Sequence, residues 1–322
     1  MWKICGYEIP EGSSRQVTIE PGVEGYRIPA TIVNGSRRGK TVLITASIHS
    51  GEYPGVPAVI RIAKEIDPEK VSGRILFIHC VNVSGFWSRT GGRVPEDNGN
   101  LNADYPGKQG GTVTECIADY FVREIFPQLD FVLDLHSGGV AEPLTPCLFY
   151  PKAPKVTAES LEAAKATTIP FLIESSATTG EFSYAANFFD VPGILLERGH
   201  SDLCYEEWIQ ADMTDIRLLL DHLGVYVFPE KEKVMQDVSH TISTDTVYLV
   251  SDEQALWYAC IEAGDEVKKG QVLGYMEDFY GNPLKTFFAE DDGIVFYYTR
   301  GLAVRKGFPL VAYGLKRGMK TD

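Results

Sequence analysis

Apolar, β-branched runs at 41–48 (TVLITASI) and 74–83 (RILFIHCVNV) flank a segment, PGVPAVIRIAKEI, whose apolar residues recur at helical spacing. Pro54 and Pro57 fall in that segment's first turns, where proline is tolerated. The unit reads strand–helix–strand. Further buried strands are expected at 131–135 (FVLDL), 169–173 (IPFLI) and 193–197 (GILLE), and helices at 112–126, 155–168 and 206–223. Such alternation limits the chain to an α/β fold, a mostly parallel or mixed sheet flanked by helices.

The pattern changes after about residue 228. FPEKEKVMQD is a polar, charged connector, and beyond it short β-like runs alternate with glycine-centred turns. A smaller all-β domain, a compact barrel or sandwich, follows from that rhythm. The expected division is one domain over 1–228 and a second over 229–322. EAGDEVKKGQVLGYM resembles the half-motif of biotinyl/lipoyl-type barrels. Carriers of that kind hold their cofactor on a lysine in a tight hairpin. Here Glu277 and Asp278 follow Met276 and no lysine occupies the turn, so the resemblance implies the barrel without the carrier role.

Composition sets outer limits. Hydrophobic residues make up 44% of the chain, enough for a full core. Asp and Glu outnumber Lys and Arg by 44 to 30, a formal charge of −14, which is the wrong sign for nucleic acid. No apolar run approaches the ~20 residues of a bilayer span, so no membrane partner is expected. The start, MWKICGYEIPEGSSRQ, lacks the apolar stretch of a secretory signal, and a cytoplasmic protein is expected. Cys5, Cys80, Cys116, Cys147, Cys204 and Cys260 form no CxxC pair, and several lie in apolar runs. Reduced core thiols are expected, not a disulfide framework or a thiolate zinc site.

His49 and Glu52 make an H-x-x-E unit where the strand at 41–48 stops. Open α/β sheets bind ligands outside the carboxyl ends of their strands, and residues three apart on a helical turn share a face. His136 closes FVLDL in the same way, followed by Ser137, Gly138 and Gly139. Two imidazoles and a carboxylate, with a position left for water, are a common catalytic zinc site. Zinc lowers the pKa of bound water toward ~7 and polarises a carbonyl. One zinc ion on His49, Glu52 and His136 is the expected cofactor. The competing reading makes His49 and Glu52 a solvated loop pair and His136 a hydrogen-bonded strand-end residue. Glu197 ends GILLE, where a carboxylate could move a proton from water to a leaving nitrogen, or pair with a nearby Arg or Lys. His79 reads as a satisfied core residue, and His222 and His240 as surface or connector positions.

In order, HSGEYPG, NVSGFWSRTGGRVPEDNGNLNADYPG, DLHSGG and VPGILLERG resemble the succinylglutamate desuccinylase/aspartoacylase family, within the wider zinc carboxypeptidase-like hydrolases. The C-terminal β domain fits one bacterial branch, so the resemblance spans nearly the whole chain. It implies zinc on His49, Glu52 and His136, Glu197 as general base, and hydrolysis of the amide of a small N-acylated amino acid. An arginine upstream of NLN resembles the one that stabilises the tetrahedral oxyanion, where charge develops only in the transition state. Arg93 and Arg89 are both candidates, Arg93 the preferred one. Asn102 resembles the asparagine of an Asn-Arg pair that holds a substrate carboxylate. Here the next residue is Ala103, which cannot make the arginine's bidentate contact. Arg198, Gly199 and His200 follow Glu197 where many relatives carry small residues. Arg198 or His200 is therefore a candidate replacement for the lost cation, the alternative being a structural ion pair for Arg198. Asp134 shares a strand face with His136. It is a candidate to orient a zinc histidine, or to bind a backbone amide.

The leading reading is a zinc deacylase acting on a small molecule. A metallocarboxypeptidase on short peptides is the runner-up, weakened by Ala103. A non-catalytic metal-binding protein on the same fold would have no need of Glu197. Self-association into a homo-oligomer is compatible with each.

Overall fold

The computed structural model describes residues 1–229 and 238–321. A hairpin of β1 (Trp2–Ile4) and β2 (Tyr7–Ile9) precedes the antiparallel pair β3 (Ser13–Ile19) and β4 (Ile28–Asn34). The expected strand–helix–strand unit follows as β5 (Arg37–Ala46), α1 (Gly55–Glu65) and β6 (Ser72–Ile78), with β5 and β6 parallel. A short α2 (Val83–Ser88) leads into a long loop, then α3 (Val113–Tyr120) and β7 (Phe131–His136). The helix expected over 112–126 is α-helical only to Tyr120; a π turn over 121–125 and a 3-10 turn carrying Pro127 finish it. Next come β8 (Cys147–Pro151), α4 (Thr157–Lys165), β9 (Phe171–Ser175), α5 (Glu181–Phe189), β10 (Gly193–Glu197) and α6 (Glu206–His222). Pattern reading passes over β1 to β4, α2, β8 and α5; β8 and α5 are short, and α5 is aromatic along much of its length.

Ten strands form one mixed sheet in the order β20-β11-β9-β8-β10-β7-β5-β6-β4-β3. Strands β11 (Thr241–Ser243) and β20 (Met319–Thr321) come from the C-terminal part, so the division expected at 228/229 does not coincide with the edge of the sheet. The change in composition marks where helices cease, not where the large sheet stops pairing. Most of the charged connector, residues 230–237, lies outside the described residues.

Side chains along β5 alternate as a strand covered on both faces requires. Val42, Ile44 and Ala46 enter a core with Ala58 and Ile62 of α1 and Ile216 of α6. Leu43 enters a second core with Ile117 of α3 and Ala185 of α5. Strand β7 is buried at every position, the mark of a central strand. An added Cβ at Gly55 would stand 2.9 Å from Leu135 Cβ and 3.3 Å from Ala46 Cβ. The glycine lets α1 begin directly against the ends of β5 and β7.

Residues 246–315 make the all-β unit, with β12 (Thr246–Val250), β13 (Ala255–Ala259), β14 (Glu266–Val267), β15 (Val272–Glu277), β16 (Pro283–Phe288), β17 (Gly293–Tyr298), β18 (Ala303–Val304) and β19 (Pro309–Leu315). Two four-stranded sheets, β12-β19-β17-β14 and β16-β15-β13-β18, share one core around Trp257, Met276, Val295 and Tyr313. The unit grips the main domain through the loop after β7. Thr145 N–H donates to Phe296 O (2.8 Å), Tyr298 N–H to Pro143 O (3.2 Å) and Arg300 N–H to Ala141 O (2.8 Å).

Two expectations need correction. His240 is buried rather than a surface connector, its ring nitrogens 2.8 Å from Ile169 O and 3.0 Å from Lys165 O. Cys204 and Cys260 are exposed, while the other four thiols are buried, and all six are free. His79 is partly buried with Nε2 3.0 Å from Thr31 Oγ1. Burial, helped by Lys64, pushes its pKa down to about 4. The unfolded chain therefore takes up a proton near pH 6.5 that the folded chain refuses. Stability from this site is complete above that pH and is lost as pH falls toward 4. At about 1.36 kcal/mol per unit the ceiling is about 3 kcal/mol; partial exposure screens it to about 1–2 kcal/mol. Urea titrations of wild type and His79→Gln at pH 7.5 and 4.5 should show the variant losing that much less stability on acidification.

Candidate active site

Strands β5, β7 and β10 are parallel neighbours, so their carboxyl ends open at one edge of the sheet. Beyond β5 the chain turns sharply, with Ser47 at φ 59°. Glu52 N–H donates to His49 O (3.1 Å), closing the turn that carries both side chains just before α1. His136 is the last residue of β7 and Glu197 the last of β10. The β7–β10 register sets these two directly opposite each other.

His49 Nδ1 lies 2.8 Å from Glu52 Oε1, and His136 Nδ1 lies 2.9 Å from Glu52 Oε2. The outer ring nitrogens also have partners. His49 Nε2 is 3.0 Å from Asn100 Oδ1, and His136 Nε2 is 3.0 Å from Asp134 Oδ2. An amide oxygen is an acceptor, so Asn100 draws the His49 ring proton to Nε2, whereas the His136–Asp134 approach is a charge contact without hydrogen-bond alignment. Both Nδ1 atoms face the same carboxylate, an arrangement satisfied by a proton on each ring nitrogen or by a cation lying among them. Burial opposes ionisation of Glu52, yet His49 and His136 outweigh it and hold its pKa at about 2. Burial also disfavours a charged His136, but Asp134 and Glu52 raise its pKa well above the ordinary value. One ligand atom from each of His49, Glu52 and His136 falls within 4.8 Å of the others, so the group could hold a metal ion. Two imidazole nitrogens and one carboxylate oxygen suit zinc.

Comparison with known proteins bears on the same residues. The model of the succinylglutamate desuccinylase/aspartoacylase catalytic domain matches residues 38–223. The chain belongs to this family. An N-alpha-acetyl-L-2,4-diaminobutyric acid deacetylase of Halomonas elongata is 30% identical over 282 residues, 83% of this chain and 80% of the relative. The product-bound ectoine utilization protein of Ruegeria pomeroyi superposes with a TM-score of 0.79 at 25% identity, over 90% of this chain and 89% of that one. A succinylglutamate desuccinylase/aspartoacylase of Rhodobacter sphaeroides shares the fold, with a TM-score of 0.81 at 23% identity over 96% of each chain. Family membership supports an enzyme of the deacylase kind, and the mixed sheet with a C-terminal all-β region is the family's architecture.

Within that family frame the other expected site residues separate. Arg93 lines a cavity of about 350 Å³ together with His49, Glu52 and Asn100. Arg89 instead caps α2 in the left-handed region (φ 55°) and lines a neighbouring apolar hollow with Tyr53, Phe86 and Trp87. The glycine insertion between them braces the turn that carries His49 and Glu52: Gly91 O accepts from Ser50 Oγ and from Gly51 N–H. Asn102 packs against Gly180 at the start of α5, and its N–H donates to Asn100 Oδ1 (3.0 Å). Arg198 is turned away from the cavity. Its Nη1 donates to Asp212 Oδ1 at 2.6 Å and its Nη2 to Asp215 Oδ2 at 2.5 Å, both on α6. Of the two roles considered for Arg198, the structural ion pair is the one present, and its guanidinium is unavailable to replace the arginine missing at Ala103. His200 rests on Trp208 (ring centroids 5.3 Å), with Nδ1 3.0 Å from Ser201 Oγ. Burial lowers its pKa.

Asp134 does approach the zinc-type histidine, and a further chain stands behind it. Thr45 Oγ1 lies 2.7 Å from Glu181 Oε1 and 3.3 Å from Asp134 Oδ1. Burial, reinforced by Asp134, raises the Glu181 pKa well above the usual carboxyl range. Sequence reading missed Asn100 and Glu142. Asn100 sits two residues before Asn102 in GNLN, on the same turn; Glu142 lies in a loop without any motif.

Proposed function

We propose that this protein is a zinc-dependent amidohydrolase that removes the acyl group from a small N-acylated amino acid. The supporting observation is the convergence of His49 Nδ1 and His136 Nδ1 on the two oxygens of Glu52, with Glu197 in register beside His136. His49, Glu52 and His136 hold the ion, and Asn100 and Asp134 fix the two rings through their other nitrogens. When bound, zinc supplies a Lewis acid for the scissile carbonyl and lowers the pKa of water. Glu197 accepts the proton of the attacking water and returns it to the leaving amine nitrogen. Burial and then Glu52 push the Glu197 pKa well above the usual range, with His136 opposing, a direction that favours the return of the proton to the amine. Arg93, on the wall of the same cavity, donates to the developing oxyanion. Water and a small amide fit the cavity volume, and a carboxypeptidase role gains nothing from Ala103. Acetyl is the first acyl group to test, because the Halomonas elongata relative is a deacetylase.

Metal removal tests this reading. The purified protein should carry about one zinc per chain. Exhaustive chelation should abolish amine release from N-acetyl amino acids, and added zinc should restore it. Undiminished turnover by the chelated, zinc-free protein would overturn the assignment.

A further inference from the structure

Glu142 is a carboxylate on the wall of the catalytic cavity that the hydrolytic chemistry does not use. It lines the same space as His49, Glu52 and Arg93, which Thr299, Phe308 and Pro309 of the β unit also line. Its Oε2 accepts the N–H of Gly139 at 3.1 Å. Among the described residues no lysine or arginine pairs with it, and Oε1 has no protein donor. Burial, followed by the charge of Glu52, raises its pKa, while the Gly139 N–H and His49 oppose the rise. Even a partly buried carboxylate without a countercharge is costly. Arg300 N–H is bonded to Ala141 O and Tyr298 N–H to Pro143 O, one on each side of Glu142. The β unit therefore fixes the backbone that aims this side chain.

We infer that Glu142 is the acceptor for a second, cationic group on the substrate, so that the preferred amide is that of a diamino acid whose free ammonium sits against Glu142 Oε1. The inference rests on the deacylase reading and specifies the amine half of the substrate. It also gives the β unit a role: through residues 296–300 it sets which amino acid the main domain accepts. The relative named for N-alpha-acetyl-L-2,4-diaminobutyric acid acts on a compound with such an ammonium.

The test compares Glu142→Gln with wild type, both zinc-loaded. Glutamine keeps an oxygen for the Gly139 N–H and removes only the charge, so the loop survives. By calorimetry wild type should bind 2,4-diaminobutyrate at least tenfold more tightly than 2-aminobutyrate, and E142Q should bind the two within about threefold. In turnover, E142Q should raise KM for N-alpha-acetyl-2,4-diaminobutyrate about tenfold or more with kcat within about threefold. Its kcat/KM for N-alpha-acetyl-2-aminobutyrate should hardly change. Equal affinity of wild type for the two amino acids, or undiminished discrimination by E142Q, overturns the ammonium site. Discrimination in binding without hydrolysis of either amide would leave the site standing and remove the deacylase reading instead.

Discussion

Glutamine in place of Glu197 should lower kcat by about 10²–10⁴-fold, the usual contribution of a general acid–base group. The zinc content should stay at about one per chain. Glutamine has the shape of glutamate but accepts no proton from water and returns none to the leaving nitrogen. The metal ligands are untouched by the change. The Glu197 side chain makes no hydrogen bond to His49, Glu52 or His136; it is set beside His136 by the backbone pairing of β10 with β7. Binding is expected to survive for the same reason, so KM should move little while kcat collapses. Amine release and metal analysis on the same preparations separate the possibilities. Turnover within about threefold of wild type would dismiss Glu197 as the base. Loss of zinc together with activity would make it a ligand or a structural support instead.

Arg198→Ala should destabilise the fold by about 3–5 kcal/mol, the cost of breaking a buried ion pair by removing one partner. The guanidinium is buried and bridges Asp212 and Asp215, themselves buried on α6. Asp215 also accepts from Thr168 N–H at 2.6 Å, tying the turn before β9 to the same cluster. Removing the cation leaves two neighbouring carboxylates with no positive charge between them. Urea unfolding should report the full loss. KM for the substrate should change no more than for other destabilised variants assayed below their melting point. A stable R198A with a selectively raised KM would return the residue to substrate binding.

The contrast between Glu197 and Arg198 shows what could be read from residues alone. Strand-end positions were legible because they depend on local pattern: an apolar run, then a polar residue, then small residues. His49 and His136 announce themselves in that way, Glu197 by ending an apolar run, and Glu52 by its spacing from His49. The helices and central strands were legible for the same reason, since burial on one face or on both imposes a period. Arg198 adjoins Glu197 in sequence, but on a strand successive side chains point to opposite faces. Its neighbours are thus on α6, and only packing of that helix against the sheet reveals them. Asn100 and Glu142 belong to loops, where no period constrains the chain.

By itself the sequence determined the α/β class and the appended β unit, and it picked out His49, Glu52 and His136 as candidate metal-binding residues, because each follows from pattern and spacing along the chain. The tertiary structure decided the rest: Glu197 opposite His136, Arg93 rather than Arg89 in the cavity, Arg198 consumed by Asp212 and Asp215, and Glu142 aimed by the β unit. Each of these depends on contacts between segments far apart in sequence. Strand register, helix docking and inter-domain hydrogen bonds create those contacts, and none leaves a local signature in the order of residues.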